Sequence, residues 1–399
     1  MTSLLIFAVT YLLITVRRLN VIHVDRPTAV LIGAVAMVLF GVLTPSEALA
    51  AVDGRTIILL FGVMGLGVIL TNDGVFAWAE SYIMRHLRTP RALLGSVIWG
   101  AGISAAFITN DAAAILFTPV LLRLVRVYRL RPMPFVLALA TAVNTGSVAT
   151  VVGNPQNMLC ASFGGLDYRT FLFVLGPVAV MALAVNHLGL VWWFRADLKG
   201  ELPRVEFENS PASFGAVWAV LAVAVLALLG VDIAFAALGG VALLLLRRPG
   251  DGARMFTGLD WSILVFFSGL FVVVAGFIQS GFPALFLERY PLHYFESHGH
   301  FGLSAVFLFG SNVFSNVPFI LVVRDAVDAL ADPAKAWLIL AMASTFAGNM
   351  TLVGSVANII VAEGAREDGG IGFLEHLKVG FPLAVVTTFL GAAYIAAVV

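Results

Sequence analysis

Apolar residues in this chain gather into long blocks separated by short polar stretches. Blocks at 4–16, 28–43, 57–71, 133–163, 171–194, 214–229, 233–247, 261–281, 335–364 and 373–398 each read as one bilayer crossing, which takes ~20 mostly apolar residues. The first is short and extends into 17–22. The segments 75–90 and 282–298 look amphipathic and are expected to lie as arms in the membrane interface. Two further blocks, Ala92 to Leu122 and Phe301 to Val323, carry polar residues at their centres. As one helix the first would be ~46 Å long, well over the ~30 Å hydrocarbon core. Each is therefore expected to enter, turn at its polar centre and return to the side it came from.

Composition agrees with the pattern. Hydrophobic residues make up 60% of the 399 and charged residues 12%, against roughly a quarter charged in soluble domains. Lipid is the expected solvent. The net charge is zero and no basic stretch is interleaved with aromatics, so no nucleic-acid partner is expected. The one cysteine, Cys160, excludes a disulfide within the chain and reads as a small buried hydrophobe. The run Leu4 to Val16 is followed by Arg17 and Arg18, the reverse of a signal peptide, and reads as a retained helix.

Charge distribution sets the orientation. With both odd blocks as hairpins there are ten crossings, and 18 of the 23 Lys and Arg fall on one side. A single crossing by 92–122 would put Arg123 to Arg131 opposite Arg85 to Arg91, and the asymmetry would vanish. The majority side is cytoplasmic by the positive-inside rule. Both termini are then outside, in a bacterial-type inner (plasma) membrane. The hairpin at 92–122 enters from the cytoplasm and the one at 301–323 from outside.

The halves resemble each other. Val52 to Gly62 matches Leu259 to Gly269, and Thr109-Asn110 matches Ser315-Asn316. Gly153-Asn154-Pro155-Gln156-Asn157 matches Gly354-Ser355-Val356-Ala357-Asn358, and Gly176-Pro177 matches Phe381-Pro382. These pairs lie in order at offsets of 201 to 207 residues. Five crossings per copy is an odd number, so the second copy is inverted. The expected fold is all-α and polytopic, with inverted repeats at 1–194 and 214–399 joined by a cytoplasmic linker, 195–213. Inverted repeats with broken helices are typical of secondary transporters, whose site lies at the repeat interface near mid-membrane.

Irregular backbone at membrane depth is tolerated only where it is buried in protein or lines a cavity. Four stretches qualify: the hairpin tips Thr109-Asn110-Asp111 and Ser315-Asn316-Val317-Pro318, and two helix breaks. The breaks run from Asn144 and Ser147 to Asn157, and from Asn349 and Thr351 to Asn358. Freed carbonyls and Asn, Ser or Thr oxygens there suit a hard cation such as sodium. Half-helix N-termini suit an anion. An acid at a helix centre costs ~2.5–3.5 kcal/mol on the insertion scale, so Asp111 reads as functional, with capping of Ala112 to Leu122 as the blander role. Asn110 and Asn316 read as site residues rather than interhelical glue, because they match across the repeat. Asp53 and Asp260 read as helix caps. His187 reads as a satisfied core histidine, Glu363 as snorkelling or pairing with Arg366, and His293, His298 and His300 as a solvent-exposed cluster.

At these motifs the chain resembles the ion transporter superfamily, which includes divalent anion/sodium symporters, metal–citrate transporters and arsenite-efflux permeases. Thr109-Asn110-Asp111-Ala112-Ala113-Ala114-Ile115-Leu116-Phe117-Thr118-Pro119 resembles the hairpin of the arsenite permeases and citrate transporters. Residues 153–157 resemble the citrate-transporter-like permeases. The resemblance covers nearly the whole chain. It implies a homodimer working as an elevator, with scaffold helices in 1–91 and 214–298 and moving hairpins and transport helices in 92–194 and 299–399. It also implies substrate contacts at Asn110, Asp111, Asn154, Pro155, Asn316, Val317 and Ser355, and cation contacts at Thr109, Asn110, Gly153, Ser315, Asn316 and Gly354. In the dicarboxylate branch each tip is Ser-Asn-Thr; here the threonine positions hold Asp111 and Val317. An ionised Asp111 would repel a bare dicarboxylate by ~4 kcal/mol at ~4 Å and an effective dielectric of ~20. A protonated Asp111, a metal–anion complex, a neutral oxyacid or cation exchange fits better.

The expected function is transport of a small anion or oxyacid, citrate-like or arsenite-like, coupled to Na+ or H+. No cofactor is expected, and no metal beyond a bound Na+. A Na+/H+ antiporter using Asp111 is the alternative. A channel is disfavoured by two near-equivalent gating hairpins. An intramembrane enzyme is disfavoured because His-Glu-x-x-His, Gly-x-Ser-x-Gly and paired catalytic aspartates are missing.

Overall fold

The computed structural model describes residues 1–16, 25–203 and 211–399. Three arginines of the charge count (Arg17, Arg18 and Arg204), the extension into 17–22 and part of the linker lie outside the described residues. The first half contains α1 (Thr2–Val16), α2 (Arg26–Leu39), α3 (Pro45–Ala51), α4 (Gly54–Asn72), α5 (Val75–His86), α6 (Pro90–Ile108), α7 (Asn110–Val127), α8 (Pro132–Ser147), α9 (Pro155–Phe163) and α10 (Tyr168–Trp193). The second contains α11 (Gly215–Leu228), α12 (Ile233–Arg247), α13 (Asp251–Gly258), α14 (Trp261–Ile278), α15 (Phe282–Arg289), α16 (Leu292–Glu296), α17 (Gly299–Phe314), α18 (Asn316–Asp328), α19 (Pro333–Met350), α20 (Val356–Gly364) and α21 (Phe373–Val398). Among the described residues every regular element is helical.

Helix starts follow local chemistry. The Asp53 side chain accepts from the N–H groups of Arg55 and Thr56, and Asp260 accepts from Ser262 N–H. Both are the caps the sequence suggested. The short α3 is unanticipated; Thr44 and Glu47 close a capping box at its start. The arm at 75–90 is one helix, α5, whereas 282–298 breaks at Tyr290–Pro291 into α15 and α16.

Five helices, α4, α6, α10, α14 and α21, are long and apolar enough by themselves to cross a membrane. The apolar helices α1, α2, α11, α12 and α17 are shorter. Large apolar side chains lie outward in number: Leu246 is 79% exposed, Leu39 77% and Trp218 70%. Water would penalise that surface and lipid does not. The chain is a multi-pass membrane protein.

Packing falls into two groups. In one, α2 packs on α14, α4 on α12, α1 on α2 and α11 on α12. In the other, α6 packs on α8, α17 on α19, α19 on α21 and α10 on α21. Close approach is built into the second group: a Cβ on Gly146 would stand 2.0 Å from the Gly102 carbonyl oxygen. The segments 133–163 and 335–364 are each interrupted, at 148–154 and 351–355. The α6–α7 and α17–α18 pairs turn at single residues, Thr109 and Ser315.

Candidate functional site

The two tips share a rare backbone. Thr109 has φ 73° and ψ 148°, and Ser315 has φ 65° and ψ 148°. A positive φ at a β-branched threonine costs of order 1–3 kcal/mol and persists only where surroundings impose it. The same conformation lets each helix pair reverse in one residue.

Both tips and both breaks meet at one cavity of about 590 Å³. Asn110 and Asp111 line it from the first tip, and Ser315, Asn316, Val317 and Pro318 from the second. Pro155 and Gln156 come from the start of α9; Gly354, Ser355 and Val356 come from the start of α20. Asn312, Phe266, Phe267 and Tyr11 close other walls, and Arg26, Glu363 and Arg366 also face it. Asn154, Thr109 and Gly153 do not line the cavity. Asn154 is fully buried, accepting from Asn157 N–H at 2.8 Å and donating to the Ser147 hydroxyl at 2.9 Å and the Thr345 hydroxyl at 3.1 Å. A Cβ at Gly153 would sit 1.9 Å from the Ser147 carbonyl, so its lack of a side chain permits the break to fold back.

Behind the cavity lies a buried amide network centred on Asn144. Its Oδ1 accepts from Asn110 Nδ2 and Ser355 Oγ, each at 2.9 Å. Its Nδ2 donates to Asn349 Oδ1 at 3.1 Å and Asn358 Oδ1 at 2.9 Å. All four hydrogen bonds an asparagine side chain can make are present. Asn349 returns a bond to the Thr145 hydroxyl at 3.0 Å, so the network joins the two breaks. Such networks rigidify a core when fully satisfied.

The carbonyls freed at the breaks already have donors. Asn157 Nδ2 donates to the Ser147 and Thr150 carbonyls at 2.9 and 2.8 Å. Asn358 Nδ2 donates to the Gly348 and Thr351 carbonyls at 2.7 and 3.2 Å. The sequence left these oxygens open for a cation.

The tips differ in their side chains. Asn110 is used up internally: Nδ2 reaches Asn144, and Oδ1 accepts from Asp111 N–H at 2.9 Å. Asn316 donates to the Gly354 carbonyl at 3.4 Å, and its buried Oδ1 has no partner. Asp111 does not cap its own helix. Thr109 does, accepting from Ala112 N–H at 3.3 Å. The Asp111 carboxyl instead lies within electrostatic reach of Ala357 N–H, in the first turn of α20. No side chain of α20's own caps that end, because Ser355 points to Asn144. Asp111 thus places its charge near the positive end of a helix dipole. At the matching place on the other side stand Val317 and the α9 start.

Several cavity residues carried no local signal. Arg26 counted only as a cytoplasmic charge. Asn312 fixes the second break by donating to the Ala347 carbonyl at 2.9 Å. His376, fully buried, holds the Asn349 carbonyl through Nε2 at 2.9 Å. The expected Glu363–Arg366 ion pair does not form within 4 Å among the described residues; both side chains face the cavity instead. His187, half-buried, accepts from Trp99 Nε1–H at 3.0 Å. The described residues contain no cluster of three or more metal-ligating side chains.

A family model described as "Citrate transporter" matches residues 10–347. The chain is 28% identical to the "Silicon efflux transporter LSI3" of Oryza sativa subsp. japonica, over 96% of this chain and 95% of that protein. It is 26% identical to the "Arsenical pump membrane protein" of Escherichia coli (strain K12), over 74% of this chain and 75% of that protein. Among solved structures it resembles the Alcanivorax borkumensis YdaH transporter with a TM-score of 0.57, covering 100% of this chain and 98% of that one. At 12% identity that likeness speaks for the fold alone.

Proposed function

Since the chain belongs to the citrate transporter family, and so is a membrane transporter and not an enzyme, we propose that it exchanges a small, undissociated oxyacid for protons. The observation that carries this is the pair of acceptors in the cavity. Asp111 presents a carboxylate and Asn316 an unpartnered Oδ1. A ligand rich in O–H donors satisfies both, whereas a bare polycarboxylate meets Asp111 as a like charge. Undissociated silicic and arsenous acids have that chemistry.

The same geometry favours the proton over sodium. A sodium site gathers several free oxygens, and each of these break carbonyls already gives one of its two lone pairs to Asn157 or Asn358. Asp111 is the one carboxylate at the tips, and carboxylates inside membranes commonly carry protons. Alternating access follows an elevator in this reading, with two inverted repeats and a homodimeric scaffold. The two packing groups support a moving body built from the hairpins and their helices. In this reading the cavity opens past Arg26, Glu363 and Arg366, which line it, on the side where the charge asymmetry predicts the cytoplasm. At the other end Ser162 donates to Asp53 at 3.0 Å and Arg169 to the Leu228 carbonyl, tying the groups together.

The test is flux in proteoliposomes with arsenous acid, silicic acid and citrate, under imposed Na+ and H+ gradients. Oxyacid flux driven by the pH gradient and indifferent to Na+ is expected. Sodium-driven citrate uptake without oxyacid flux would overturn the reading. Sodium-driven alkalinisation in the absence of either acid would favour a Na+/H+ antiporter instead.

A further inference from the structure

We propose that Arg26 is a positioning residue that compensates the charge of Asp111 on one face of the membrane and not on the other. This rests on the proton-exchange reading above. Arg26 is the first residue of α2, directly after the cap Asp25, whose carboxylate accepts from Thr28 N–H at 2.8 Å. That cap fixes where the guanidinium leaves the backbone. From there Arg26 lines the same cavity as Asp111 and lies within electrostatic reach of it. The other charged groups around Asp111 are Asp260 at the start of α14, and Glu363 and Arg366 at the cavity mouth.

The two arginines differ in what they travel with. Arg366 follows α20, which packs along α7, the helix that carries Asp111. Arg126, in the last turn of α7, also holds Asp368 through two bonds of 2.6 Å, so Arg366 belongs to the same body as Asp111. Arg26 belongs to the other packing group, through α14 and α1. A rigid movement of one group against the other keeps Arg366 with Asp111 and takes Arg26 away.

What replaces Arg26 follows from the repeat. The cap Asp25 matches the cap Asp232, 207 residues later, so Arg26 matches Ile233, the first residue of α12. On the opposite face the matching position is apolar, and the two cations beside it are already engaged, Arg55 on Asp232 and Arg169 on the Leu228 carbonyl. A carboxylate left unpaired at low dielectric is costly. It must take up a proton there before the tips settle, and it can give that proton up where Arg26 stands. Arg26 makes the proton affinity of Asp111 face-specific, while the imposed gradients set the direction of exchange.

The experiment measures arsenous acid flux in proteoliposomes against pH on each side separately, for wild type, Arg26→Gln, Arg26→Lys, Ile233→Arg and Asp111→Asn. Arg26→Gln should move the midpoint of the cavity-side pH profile up by about one unit, and Arg26→Lys should restore most of it. Ile233→Arg should move the profile of the other side down while leaving the cavity side alone; it tests the idea even where Arg26→Gln fails to fold. Superimposable profiles for wild type, a folded Arg26→Gln and Ile233→Arg would overturn the inference. Asp111→Asn separates the two levels. A flat Asp111→Asn profile with unshifted Arg26 and Ile233 variants defeats this inference alone. A still pH-dependent Asp111→Asn defeats the proton-exchange reading beneath it.

Discussion

The first hairpin tip and the second have the same backbone and opposite chemistry. Thr109 and Ser315 adopt the same strained conformation, and an asparagine follows each. At the first tip the asparagine is consumed by the Asn144 network, and the next residue, Asp111, stands near the start of α20. At the second, Asn316 keeps an acceptor open, and the next residue is Val317, facing the start of α9. One tip brings a carboxyl group to the cavity and the other an unpartnered amide oxygen. Matching backbone positions thus offer the cavity different groups.

The largest break in this comparison is Asp111→Asn. Losing a charge-assisted bond worth ~1.5–3 kcal/mol should weaken oxyacid binding roughly 10- to 100-fold. The pH dependence of flux should vanish with it. Val317→Thr, at the mirrored position, should change affinity less than about threefold, since an added hydroxyl brings no charge. Equal losses in both variants, measured by thermal shift against arsenous acid, would mean that the tips are interchangeable.

Next in size are the two asparagines. Asn110→Ala leaves Asn144 Oδ1 one partner short inside the protein and should cost ~1–3 kcal/mol of stability. Asn316→Ala removes an acceptor that has no protein partner. It should leave the melting temperature in detergent nearly unchanged while weakening ligand binding about tenfold, the ~1.4 kcal/mol of one hydrogen bond. Loss of stability in Asn316→Ala with binding intact would reverse the roles assigned to the tips.

The sequence shows the helices better than the site. Apolar blocks mark the spans, and Asp53 and Asp260 mark starts through short-range capping, which depends on neighbours in sequence. The breaks are visible because glycine, proline and asparagine cluster at 153–157 and 348–358. What Asp111 faces is not visible, since Ala357 lies in the other half of the chain. Local logic offered Asp111 the blander role of capping its own helix, and Thr109 holds that place. The open carbonyls of the breaks were a fair reading of broken helices. Only the fold shows Asn157 and Asn358 folding back to donate to them. Arg26 was hidden for the same reason: a lone arginine at a helix start looks like a topology signal until a distant tip is placed beside it.

Backbone strain sharpens the comparison further. Thr109→Gly relieves the positive φ but loses the bond to Ala112 N–H, worth ~1 kcal/mol, and adds unfolded-state entropy of similar size. The net change should be near zero. Ser315 caps nothing with its side chain, so Ser315→Gly keeps more of the relief and should raise stability by up to ~1 kcal/mol. Melting curves of both variants check this. A drop in Ser315→Gly would mean that its hydroxyl has a structural partner.

The smallest effect lies far from the tips, where the two parallel helix pairs end. The α18–α9 pair closes with Arg324 over the Phe163 ring, 4.3 Å from its centroid. The α7–α20 pair closes with Arg126 on Asp368. Hydrogen bonding and charge from the Arg126 guanidinium hold the Asp368 carboxyl below the usual carboxylate range. A depressed acid contributes stability above its unfolded value, ~3.9, and loses it as pH falls through the lower folded value. Asp368→Asn should therefore lower the melting temperature slightly at neutral pH and not at all below that range. The cation–π closure is blind to pH there, so Phe163→Leu should cost the same at both ends of the scan. Both guanidinium contacts are partly open to solvent, which keeps each effect small. An Asp368→Asn deficit that persists unchanged into acid would show that packing of the 365–372 turn, and not the ion pair, closes the first pair of helices.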